Sequence, residues 1–129
     1  MSACPREPLL AIGCEDGVVR LFRYDSNTLG SNTNSLGSLE YSRSLPTSGS
    51  RILCVSYHPV DKRLFAGCSD GTVRCMEEET GRVLFRMLGD VLRGSVSTLI
   101  WSLIVLPDST VVTGDSRGQV GILSFSNIF

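Results

Sequence analysis

In 129 residues, 12 Lys and Arg against 13 Asp and Glu give a net charge of −1 and a pI near 5.8, without the basic excess that a stand-alone nucleic-acid binder carries. With 42% hydrophobic residues the chain reads as globular, long enough for one domain and too short for two, and its longest apolar run, residues 98–106, is far below the roughly 18–20 residues of a spanning helix, so no membrane partner is expected. Five cysteines, Cys4, Cys14, Cys54, Cys68 and Cys75, form an odd set without Cys-x-x-Cys spacing, which points to a reducing interior, cytosol or nucleus.

Thirteen glycines and five prolines spread along the chain leave few windows of helix-forming size, so strands are expected throughout. Residues 9–13 and 18–22 are apolar runs separated by Asp16-Gly17, a dipeptide that supplies the positive φ of a tight hairpin. Residues 24–50, rich in Ser, Asn, Gly and Thr, predict a flexible loop between two strands. The runs 52–57 and 64–68 follow, the first ending at His58-Pro59, and Asp70-Gly71 marks the next hairpin. Glu77-Glu78-Glu79 ahead of Thr80-Gly81 predicts an outer turn whose charges are solvated and discourage edge pairing. A connection is expected over 88–98. The runs 100–106 and 111–114 then precede Arg117-Gly118, where the turn glycine is kept and the carboxylate lost. These runs are almost continuously apolar, as strands covered on both faces require.

The chain repeats itself. Gly13, Gly67 and Gly114 each open the pattern Gly-x-x-x-Gly-x-Val, and the second glycines, Gly17, Gly71 and Gly118, stand 54 and 47 residues apart, close to the ~40–45 residues of a four-stranded propeller blade. With its strand–Asp-Gly–strand units, the sequence resembles the WD40 family of β-propellers over most of its length. Ser50-Arg51-Ile52-Leu53-Cys54-Val55-Ser56-Tyr57-His58-Pro59, with residues 11–17, 66–70, 100–103 and 108–120, is similar to the cirhin type of WD40 propeller. The Trp-Asp pair that often closes the third strand is replaced by Phe22-Arg23, Met76-Glu77 and Leu123-Ser124, and no Gly-His pair opens a repeat. The resemblance implies an all-β WD40-like propeller fragment of about two and a half four-stranded antiparallel blades. Strands b–d of the first fall at about 8–45 with the loop 24–50, the second blade at about 51–88, and strands a–c of the third at about 98–125. So few blades cannot close a ring. A fragment or truncated product is therefore expected, with Ile122, Leu123 and Phe125 facing water.

Catalysis has no support here: the phosphate-loop, zinc-hydrolase and serine-hydrolase strings are absent and His58 is the sole histidine. Neither a metal nor a cofactor is expected, and no small-molecule substrate. Asp16, Gly17, Asp70, Gly71 and Gly118 are expected as structural turns, and Arg20, Arg74 and Trp101 as candidate interaction residues, the arginines with Arg117 forming a face that could meet RNA phosphates. The resemblance further implies a non-enzymatic scaffold of the small-subunit processome in the nucleus and nucleolus. Such a scaffold acts in pre-18S ribosomal RNA processing and ribosome biogenesis, and in rDNA transcription. It contacts other processome scaffold proteins and reaches pre-rRNA or the U3 snoRNP mainly through the complex. A generic WD40 adaptor in another complex, such as a ubiquitin ligase, is the alternative.

Overall fold

The computed structural model describes residues 1–24, 39–46, 50–88 and 98–124. They form eleven strands and, among the described residues, no helix: β1 Ser2–Ala3, β2 Leu9–Gly13, β3 Val18–Tyr24, β4 Leu39–Pro46, β5 Ile52–Tyr57, β6 Arg63–Cys68, β7 Thr72–Glu77, β8 Val83–Leu88, β9 Ile100–Val105, β10 Thr110–Asp115 and β11 Val120–Ser124. Three antiparallel sheets result, ordered β1-β2-β3-β4, β5-β6-β7-β8 and β9-β10-β11, each a meander in which sequence neighbours pair.

The sheets stack face to face, and the two-residue period of a strand decides which side chain enters which layer. Between the first and second sheets lie Leu9, Ala11, Val19, Leu21 and Leu45 against Ile52, Val55, Tyr57, Leu64, Ala66, Cys68 and Met76. The alternate residues of the second sheet, Phe65, Val73 and Cys75, with Cys54, Phe85 and Met87 beside them, meet Ile100, Leu103, Val105 and Val111 of the third. The middle sheet is thus apolar on both faces, which explains the unbroken burial from Leu64 to Cys68.

Three expectations need correction. Leu39–Pro46 is a full strand inside the stretch 24–50 read as loop, pairing with β3 from Val18↔Pro46 to Tyr24↔Leu39; its alternation Leu39, Tyr41, Arg43, Leu45 has period two but too few apolar residues to stand out from the polar segment before it. The first sheet, taken as strands b–d starting near residue 8, also has a fourth strand, Ser2–Ala3, too short to carry any period. Leu123 faces inward onto the core between the second and third sheets, whereas Ile122 is 73% exposed. Phe125 and most of the 88–98 connection lie outside the described residues.

Candidate functional site

Each hairpin turn is built from its own sequence and then bonded to the start of a first strand. Gly17, Gly71 and Gly118 have φ of 84°, 81° and 77°, the left-handed region that glycine enters without strain. Asp16 Oδ1 accepts from the Val18 amide at 3.2 Å and Asp70 Oδ1 from the Thr72 amide at 3.1 Å, closing each turn with a side-chain bond. Ser69 N–H donates to Arg51 O and Ser116 N–H to Leu99 O, tying the turns of the second and third sheets to the beginnings of β5 and β9.

The carboxylates also hold the arginines. Arg20 donates to both oxygens of Asp16, at 3.1 and 2.7 Å, and Arg74 reaches Asp70 Oδ2 at 3.1 Å. The Arg20 bond keeps the Asp16 carboxyl below the usual carboxylate range. Burial pushes Asp70 up, but bonds from Thr72 and Ser50 and the nearby Arg74 charge outweigh it, so its carboxyl too sits below the usual range. Arg74 is 2% exposed. The expected arginine face is therefore not formed: Arg74 is buried, Arg20 is charge-compensated four residues from its own aspartate, and Arg117 occupies the turn position of Asp16 and Asp70 instead of the strand position of the other two.

The third turn keeps a carboxylate after all. Asp115, two residues ahead of the vacated position, accepts from the Arg117 and Gln119 amides at 2.9 and 3.0 Å. A bond made to the turn's own backbone needs only a short side chain within reach, so a shift of two positions is tolerated.

Two further groups join the sheets. His58 is fully buried, with Nδ1 accepting from the amides of Val60 and Asp61 at 3.0 and 2.9 Å; Nε2 therefore carries the proton and donates to Ser109 Oγ, 2.9 Å away in the β9–β10 turn. Burial holds its pKa below the ordinary value. Ser109 is the one non-glycine at positive φ among the described residues, at 68°. Glu78, expected among solvated turn charges, is buried: it takes an ion pair from Arg6 at 2.5 Å and the Cys4 thiol at 3.5 Å, while its carbonyl accepts from Arg43 at 2.8 Å. All three partners come from the first sheet and its leading segment. Glu79 remains exposed, as expected.

Less visible in the sequence is the role of the first glycine of each repeat. A Cβ on Gly13 would run into Ile52 Cγ2, and one on Gly67 would lie 2.6 Å from Ile100 Cγ2. In both cases the isoleucine that begins the next sheet drops onto the bare backbone of a central strand. At Gly114 the neighbour within 4 Å is Ser102 Oγ of its own sheet, at 2.7 Å. The turns repeat the difference: Cβ atoms on Gly17 and Gly71 would meet the carbonyls of Ser50 and Thr98 at 2.9 and 3.0 Å, and one on Gly118 meets nothing within 4 Å among the described residues. Around Gly114 the outer face of the third sheet exposes Ile104, Val120 and Ile122, and Trp101 is 54% exposed beside it.

The model for the anaphase-promoting complex subunit 4 WD40 domain matches residues 1–103. The chain is 32% identical over 122 residues to U3 small nucleolar RNA-associated protein 4 of Schizosaccharomyces pombe and 29% identical over 123 residues to the human U3 small nucleolar RNA-associated protein 4 homolog, in each case across 93% of this chain and 16% of the relative. The Saccharomyces cerevisiae U3 small nucleolar RNA-associated protein 4 is 31% identical over 122 residues, 90% of this chain and 14% of its own length. The chain thus spans about a sixth of the relatives it matches.

Proposed function

Because this chain belongs to the WD40 family, whose model covers residues 1–103, we propose that it serves as a non-enzymatic scaffold of the U3 small nucleolar ribonucleoprotein and the small-subunit processome, acting in the nucleolus in pre-18S ribosomal RNA processing and ribosome biogenesis. The observation that carries this reading is the likeness to U3 small nucleolar RNA-associated protein 4 across 93% of the chain. The internal matches quoted for a cirhin-type propeller fall in the same span and support the narrower assignment. A role in rDNA transcription would follow from the same placement.

The surface supports contact through protein. Arg20 and Arg74 are compensated by Asp16 and Asp70, so the repeated turns present little net positive charge to a phosphate backbone. Trp101, Ile104 and Ile122 offer exposed apolar area of the kind that anchors protein interfaces. On this reading pre-rRNA is reached through other processome scaffold proteins, and the sheets are blades of a propeller.

Affinity purification of the tagged chain from cells tests it. Co-purification of U3 RNA, pre-18S ribosomal RNA and processome proteins supports the proposal; their absence with recovery of ubiquitin-ligase subunits would replace it with a WD40 adaptor of another complex.

A further inference from the structure

We propose that the buried polar cluster where the first and second sheets meet is a binding site for a small monovalent anion of halide size, held by Tyr57, Arg6 and Arg43. The proposal is independent of the proposed function, and the site lies in the interior between the two sheets.

Around Glu78 the acceptors of this cluster are already engaged. Its carboxylate receives the Cys4 thiol on Oε1 and Arg6 Nη2 on Oε2, its carbonyl receives Arg43 Nη2, and the carbonyl of His58 receives Arg6 Nη1 at 3.0 Å. What remains are donors. Arg6 Nε, Arg43 Nε and the Tyr57 hydroxyl are buried and have no hydrogen-bond partner among the described residues. Tyr57 is 5% exposed, with its ring in the core between the two sheets. Burial pushes its pKa up, so it keeps the proton it donates, and Cys4, Glu78, Arg43 and Arg6 are all close enough to act on it, which places it in the same cluster. Native folds seldom leave buried donors unpaired, and three of them gathered around one glutamate call for an acceptor.

The charge has the matching sign. Arg6 is paired with Glu78, whereas Arg43 reaches the carbonyl of Glu78 and makes no ion pair among the described residues. Two guanidiniums against one carboxylate leave one positive charge. Such a set repels a metal cation, and a water molecule would add two donors to a site already rich in them, while an anion adds none and cancels the charge. Arg6 spends Nη1 and Nη2 on His58 and Glu78 and so offers Nε alone, instead of the two-pronged fork that grips a carboxylate or phosphate; single bonds from three separate residues suit a spherical ion. The Arg6 side chain, 23% exposed, gives that ion a way in from solvent. Bound there, it joins Arg6 of the leading segment and Arg43 of β4 to Tyr57 of β5, and so fastens the first sheet to the second.

Urea unfolding of the full chain in sodium chloride, against sodium gluconate at the same ionic strength, tests the proposal, gluconate being too large for the site. Chloride should raise the folding equilibrium constant about tenfold for each tenfold rise in concentration above its dissociation constant, the gain expected of a ligand that binds the folded state alone. Tyr57→Phe removes one donor and should lose most of that chloride-specific gain. Tyr41→Phe, whose exposed hydroxyl lies 2.6 Å from Ser44 Oγ, should keep it. In crystals soaked in bromide, an anomalous peak should stand within hydrogen-bond distance of Tyr57 Oη. Equal stability in the two salts up to about 0.5 M would overturn the proposal. So would a chloride gain that survives Tyr57→Phe undiminished, since the ion would then sit elsewhere. If Tyr57→Phe is weakened by the same factor in both salts, the hydroxyl is bonded to water or to protein, and the anion site is overturned.

Discussion

At Gly17 and Gly71 two demands coincide, a positive φ and a backbone carbonyl about 3 Å from where a Cβ would stand; at Gly118, among the described residues, only the first operates. Replacement of either of the first two by Val should therefore cost on the order of 2–3 kcal/mol, and of Gly118 about 1 kcal/mol from strain alone. Urea unfolding of the three variants reads the order directly. His58 gives a residue-scale pH dependence. Its folded pKa lies below the unfolded value of 6.5, so the unfolded chain binds the extra proton first and stability falls as pH drops below about 6.5. Asp16, Asp70 and Asp108 contribute a separate loss in a lower window, below the carboxylate value of 3.8, because their folded pKa values are depressed. Denaturation midpoints between pH 7.5 and 5 should slope in the parent protein and flatten in His58→Gln. An unchanged slope would show that His58 is not the group responsible.

Elements were legible in the sequence where a turn residue states a backbone requirement. Asp-Gly can hardly be read otherwise, and β2–β3 and β6–β7 followed from it. β4 was not, because a polar strand at the outer position of a sheet needs few apolar residues: Leu39 and Tyr41 are exposed, while Leu45 is buried. Glu78 was read as solvated because three consecutive glutamates look alike in sequence, and only the arrival of Arg6 from 72 residues away distinguishes the middle one. That pair ties the first sheet's leading segment to the β7–β8 turn, and removing one partner strands the other charge. Glu78→Ala should destabilise by roughly 2–4 kcal/mol, the lower part of the range for buried pairs because the Arg6 side chain is 23% exposed. Arg6→Ala and the double variant complete a thermodynamic cycle; a coupling energy near zero would mean that Glu78 is held by Arg43 and Cys4 alone.

Over the whole molecule, the layered core predicts how the cysteines respond to a thiol reagent. Cys14 is partly exposed, whereas Cys4, Cys68 and Cys75 are buried, and burial pushes the Cys75 thiol up to about 12 and that of Cys54 up to about 11. Thiolate is the reacting species, so mass spectrometry after brief iodoacetamide treatment should find Cys14 labelled first and Cys68 and Cys75 only on unfolding. Early labelling of Cys75 would mean that the second and third sheets separate easily. The repeat and the three-sheet order were readable in the sequence because each is written locally. The interlock between sheets was not, because Gly13 and Gly67 look like ordinary strand glycines until Ile52 and Ile100 are seen resting on them. This interlock has a direction in time. During synthesis a sheet whose four strands have already emerged still lacks the side chain that fills its central gap, since that isoleucine belongs to the segment made next. The first and second sheets would thus leave the ribosome with one apolar face waiting, and a pause in translation just ahead of Ile52 or Ile100 would prolong the moment at which a chaperone can hold it.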